Sequence, residues 1–118
     1  LTAEFEDPSG YGRIIRNADG SVQRIVEHKD ANDEERNVRE INSGIYVIDR
    51  MKLADGLGHI TPHNAQNEYY LTDIFEYFWK HEWRVSALKA LHPDEIRGIN
   101  TVEQLAEAEA VMKARSVR

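Results

Sequence analysis

Three polar patches, each beside a short apolar run, carry most of the chemistry this chain could do. The first is Asp7-Pro8-Ser9-Gly10-Tyr11-Gly12, running into Arg13-Ile14-Ile15. Its glycines allow a backbone N–H to approach a ligand with no Cβ in the way, or simply form a turn that enters a strand. The second is Glu27-His28-Lys29-Asp30, which follows Ile25-Val26. A carboxylate at a strand end can accept hydrogen bonds from two neighbouring sugar hydroxyls; the alternative is an exposed ion pair with Lys29. The third is Asn42-Ser43-Gly44. An amide offers both a donor and an acceptor, so Asn42 can read a hydroxyl or an acetamido group, or bond its own backbone. Further on, Asn100 follows Gly98-Ile99. Its carbonyl is a hard oxygen of the kind magnesium takes, but one amide needs a carboxylate partner to hold that ion.

Other chemistry is missing from the pattern. No Gly-x-Ser-x-Gly occurs and there is no cysteine, so neither a nucleophile elbow nor thiol catalysis is on offer. The five histidines lack metal-ligand spacing. Net charge is −6 with no Lys/Arg cluster, which argues against nucleic acid. Arg13, Arg16, Arg24 and Lys29 form the densest basic group and read as a solvated strand face. No apolar run is long enough to span a bilayer, and no signal peptide is visible. The absence of cysteine fits a cytoplasmic protein.

The elements that must position these patches follow from pattern. Residues 12–16 and 22–28 are β-branched runs joined by Asn17-Ala18-Asp19-Gly20-Ser21, a hairpin turn; Val22, Ile25 and Val26 do not alternate cleanly, so a bulge or partial burial on both faces is expected there. Residues 30–40 read as an exposed loop or one short helix starting near Asn32-Asp33. The apolar run over 41–49, with Ile45, Val47 and Ile48, predicts a central strand covered on both faces. A short helix over 50–58 ends at Gly56 or Gly58, either suited to a left-handed cap. Residues 68–82 predict an amphipathic helix with Leu71, Ile74, Phe75 and Phe78 on one stripe. Alternation over 84–91 predicts another strand, and Thr101-Val102-Glu103-Gln104 a capping box opening a helix with Leu105, Ala108 and Met112 inward. The 118 residues suffice for one domain or part of one, and the class is α/β: a mixed β-sheet flanked by helices, with ligands beyond the strand ends.

Taken in order, the patches, with Asn64-Ala65-Gln66-Asn67-Glu68-Tyr69-Tyr70-Leu71-Thr72-Asp73 and Gly98-Ile99-Asn100, resemble the bacterial N-acetylglucosamine-1-phosphate uridyltransferases along nearly the whole chain. The resemblance is to the C-terminal, sugar-binding half of their Rossmann-like pyrophosphorylase domain. It implies a nucleotidyltransferase parent in which the sugar-phosphate oxygen attacks the α-phosphorus of UTP in line and pyrophosphate leaves. The product is UDP-N-acetylglucosamine, a cell-wall precursor. It further implies that Gly12, Glu27 and Asn42 hold the N-acetylglucosaminyl group, that Thr72 lies beside the sugar phosphate, and that Asn100 shares magnesium with an aspartate. The nucleotide-binding half, with its glycine-rich loop, is expected to be absent from 1–118, leaving a chain with no useful turnover of its own. The expected partners are UDP-N-acetylglucosamine or N-acetylglucosamine 1-phosphate, with neither nucleic acid nor membrane. A non-catalytic sugar-nucleotide-binding or self-associating module is the alternative, since bare sheet edges favour homo-oligomers. Asn67 stands where the family commonly has Gly, and both tolerate a left-handed backbone.

Overall fold

A computed structural model describes residues 1–117. Four strands form one sheet: β1 (Thr2–Glu4), β2 (Arg13–Arg16), β3 (Val22–Val26) and β4 (Glu40–Asn42), in the order β1-β4-β2-β3. Every ladder is antiparallel. The sheet is mixed only through one parallel bridge, Thr2 to Lys89. The β2–β3 hairpin turns where Asn17–Ser21 suggested: Gly20 takes φ +86°, and Asp19 Oδ1 accepts the Ser21 N–H at 2.9 Å. The expected bulge falls between Ile15 and Arg16.

The α-helices among the described residues are α1 (Asp33–Arg36), α2 (Arg50–Leu57), α3 (Asp73–Lys80) and α4 (Val102–Ser116); α3 packs on the sheet and α2 on α3. Asn32 caps α1 and Thr101 caps α4, each through a reciprocal capping box that satisfies two N-terminal N–H groups. Ile74, Phe75 and Phe78 of α3 pack on Ile14, Val22 and Ile25 of the hairpin to make the main core. Each such side chain contributes about 2 kcal/mol by leaving water. Ala3, Phe5 and Ile41 form a second cluster with Tyr11, Ala90 and Ile96.

Several expectations need correction. The strand over 41–49 stops at Asn42, because Gly44 at φ +78° turns the chain. Residues 45–49 run on without a strand partner among the described residues, and Val47 is fully exposed. Residues 84–91 are extended but form no strand. Their backbone reaches the sheet at two places only, Val85 O accepting from Val22 N, and Leu88 O and Ala90 N bracketing Thr2. The long helix begins at Asp73 rather than 68, since Asn67 takes φ +53° and Leu71 is exposed. Gly58 closes α2 at φ −70°, so no left-handed cap is used. Along α4 Leu105 and Met112 are exposed and Ala108 is half-buried: the cap fixes where the helix starts, but no described element covers its apolar side.

Candidate functional site

Register brings three of the sequence-predicted residues together. Arg13 pairs with Ile41 on one side and Val26 on the other. One residue further along each antiparallel ladder, Gly12 lies between Asn42 and Glu27. Asn42 N donates to Gly12 O at 2.9 Å, which confirms the first pairing. All three side-chain positions therefore face the same side of the sheet. A methyl group on Gly12 would lie 3.3 Å from Ile25 Cγ2, 3.4 Å from Glu27 Oε2 and 3.5 Å from Asn42 Cβ. The glycine leaves open the space between the acid and the amide.

The polar atoms around that gap are half satisfied. Thr72 heads α3, yet its hydroxyl does not cap the helix; it donates to Glu27 Oε1 at 3.0 Å. Glu27 Oε2 has no protein donor among the described residues. Asn42 Oδ1 accepts from Gly44 N at 3.0 Å and from Tyr46 Oη at 2.6 Å. Because a backbone N–H can only donate, these bonds orient the amide and leave its NH₂ directed elsewhere, with no protein acceptor among the described residues. The site therefore presents one free acceptor, Glu27 Oε2, and one free donor, Asn42 Nδ2, on either side of Gly12. A cleft of about 80 Å³ opens beside Asn42 and Tyr46, floored by Ile14, Ile25 and Phe75.

A second network sets the rim. Asp30 accepts from Ala65 N at 2.7 Å and from Tyr70 Oη at 2.9 Å, while Gln66 Nε2 donates to Tyr70 Oη at 2.8 Å. It fastens the 64–70 loop, which leads into Thr72, to the turn after Glu27. Burial, and then the negative charges of Glu76, Asp30 and Glu27, push the Asp73 carboxyl above its ordinary range. Burial also raises Tyr46, reinforced by the charge on Glu27. The acidic groups at this end of the sheet suit hydroxyl or amide hydrogens as partners.

Asn100 stands apart. Gly98 N donates to the Tyr11 hydroxyl at 3.0 Å, which anchors its loop one residue before Gly12. The Asn100 side chain makes no hydrogen bond to Gly12, Glu27, Asn42 or Thr72, and its backbone N–H is taken by Gln104 at 2.6 Å. The described residues hold no group of three His, Cys, Asp or Glu able to bind a metal ion, so this chain alone does not fit magnesium.

Of the basic group, Arg13 departs from the solvated face expected, while Arg16 and Lys29 are exposed and Arg24 is half-buried. Arg13 is only 1% exposed. Arg16 clamps Glu40 with two 2.7 Å bonds, and Arg24 pairs with Glu35 at 2.5 Å. Glu27 makes no ion pair with Lys29. Sequence reasoning missed Arg13 and Tyr46. Tyr46 follows Asn42 by four residues in a non-helical stretch, so no period links them. Arg13 occupies an inward position of its strand, which alternation from the buried Ile14 does not reveal.

An antiparallel sheet backed by an aromatic helix, with a polar row at its strand ends, makes an α/β unit consistent with part of a nucleotidyltransferase domain. No family model matches the chain. It is 52% identical over its full length to the bifunctional protein GlmU of Geobacillus thermodenitrificans, covering 26% of that protein. It is also 52% identical over 115 residues to that of Streptococcus suis, and 48% identical over 118 residues to that of Acetivibrio thermocellus. The chain thus matches the GlmU proteins as a fragment, spanning about a quarter of the length of these relatives.

Proposed function

We propose that this chain forms the N-acetylglucosaminyl-binding part of a UDP-N-acetylglucosamine pyrophosphorylase. In the parent enzyme uridylyl passes from UTP to N-acetylglucosamine 1-phosphate and pyrophosphate is released. The observation that carries the reading is a free acceptor, Glu27 Oε2, and a free donor, Asn42 Nδ2, on the two residues that flank Gly12. Glu27 Oε2 accepts a sugar hydroxyl, Asn42 Nδ2 donates to a hydroxyl or the acetamido carbonyl, and the missing Cβ admits the ring. Thr72, at the N-terminus of α3, orients Glu27 through its hydroxyl; by the family resemblance it would be the residue nearest the sugar phosphate in the complete enzyme. The 118 residues include no glycine-rich loop with Arg and Lys of the kind that cradles a triphosphate, and no turnover is expected from the chain alone. Magnesium enters this reading only in the complete enzyme, where Asn100 would contribute one oxygen alongside a carboxylate from elsewhere. No helix among the described residues is long and apolar enough to cross a membrane.

The test is an NMR titration of labelled chain with UDP-N-acetylglucosamine, using UTP as control. Shifts centred on Gly12, Glu27 and Asn42 that UTP does not reproduce are expected. Equal shifts with UTP, or none at millimolar ligand, would sink the reading. A second reading, self-association, is favoured by the extended run 45–49: Ile45 is 54% and Val47 104% exposed, on backbone with no strand partner.

A further inference from the structure

Arg13 is the least expected group in the fold: a guanidinium 1% exposed, with no carboxylate within salt-bridge distance among the described residues. Its acceptors are neutral. Nε donates to Val38 O at 2.9 Å, one terminal nitrogen to Tyr11 O, and the other to His28 Nδ1 at 3.2 Å and Arg36 O at 3.4 Å. An arginine cannot be deprotonated to ease this burial, so the bonds must compensate for lost hydration.

The acceptors lie on three separate segments. Tyr11 precedes Gly12, His28 follows Glu27, and the 36–38 loop leads directly into β4, which ends at Asn42. Arg13 lies on the opposite face of the sheet from the Gly12 row, one residue along, and so grips these segments from behind.

We propose that Arg13 is the positioning residue of this site, holding the Gly12, Glu27 and Asn42 segments in one relative placement, and that it does so fully only while His28 is neutral. The inference rests on the sugar-binding reading for its ligand arm alone. Neutral His28 accepts the Arg13 proton at Nδ1; a protonated ring carries hydrogen on both nitrogens and repels the guanidinium. The charged groups that face His28 are Arg13 from β2, Arg36 from α1, whose Nε also donates to His28 O at 3.2 Å, and Asp7 from the loop before β2. Burial first, then Arg13 and Arg36, hold the His28 pKa below its ordinary value, with Asp7 opposing. The grip is therefore complete at neutral pH and loosens in acid.

The experiment uses the full chain without ligand, then with UDP-N-acetylglucosamine. Amide shifts of Gly12, Glu27 and Asn42 are followed from roughly pH 8 to pH 5, in wild type, Arg13→Lys and His28→Gln. The three amides should titrate together with the His28 ring. His28→Gln, which keeps an acceptor but no titrating group, should flatten that response. Arg13→Lys, a point charge without the fork, should uncouple the three amides and weaken ligand binding about tenfold. If Arg13→Lys does not fold, the His28→Gln comparison still decides. Independent titration of the three amides, or a pH response that survives His28→Gln, overturns the proposal. Coupled titration in a chain that binds no sugar nucleotide would instead overturn the sugar reading and leave Arg13 in its role.

Discussion

Replacing Gly12 with alanine separates what the site does for stability from what it does for binding. The new methyl would sit 3.3 Å from Ile25 Cγ2, a few tenths of an ångström too close, and in ordinary contact with Glu27 Oε2 and Asn42 Cβ. Mild overpacking costs about 1 kcal/mol. The loss of glycine's freedom in the unfolded chain returns about 0.4–1 kcal/mol. Net stability should therefore change by less than about 1 kcal/mol, a shift of about 5 °C at most in Tm. Binding should suffer more, because the methyl fills the gap between the free acceptor and the free donor. Losing one hydrogen bond to a charged carboxylate is worth about 2 kcal/mol, or about thirtyfold in Kd. Gly10→Ala is the control: Gly10 has φ +82° and nothing within 4 Å of an added methyl. It should destabilise by roughly 1–2 kcal/mol through left-handed strain and leave binding intact below its melting point. Thermal melts and NMR titration of both variants read the two effects. A Gly12→Ala chain that binds UDP-N-acetylglucosamine within about threefold of wild type would refute the argument that the gap receives the ligand.

Two further outcomes concern the scaffold. Glu40, 7% exposed, is pushed up by burial, but bonds from Arg16 and Thr2 outweigh this and leave its pKa below the ordinary value. A depressed carboxylate stabilises the fold above its unfolded pKa and loses that contribution as pH falls through the folded one. Stability measured by urea unfolding should decline below about pH 4.5, and Glu40→Gln should lower the neutral-pH value by about 2 kcal/mol and flatten the acid decline; an unchanged slope would count against the network. Val47→Lys should reduce any self-association seen by sedimentation equilibrium without changing the melt; a wild-type chain that is monomeric at all concentrations would dispose of the oligomer reading.

Local signals in the sequence transferred well, and non-local ones did not. The Asn17–Ser21 turn, the bulge and the caps at Asn32 and Thr101 are each written within a few residues, and the structure reproduces them. Asn67 does adopt the left-handed backbone its family position calls for. Gly12, Glu27 and Asn42 meet because two ladders share β2 as their centre, which spacing alone could suggest only through the family resemblance. Apolar runs misled where burial depends on a neighbour: Val47 and Leu105 have the character of interior residues, yet neither is covered by a described element. Arg13 misled in the opposite sense, as a charge in a basic cluster that proves to be interior.

The acceptors of Arg13 have a consequence for how this chain can vary. Tyr11, Arg36 and Val38 serve it through main-chain oxygens, which every amino acid carries. Their side chains can be exchanged without removing the bond, provided the backbone keeps its course. Only Arg13 and His28 contribute through atoms that depend on residue type. This grip thus rests on two codons and a backbone path, so the side chains at 11, 36 and 38 are free to diverge while Arg13 keeps its bonds.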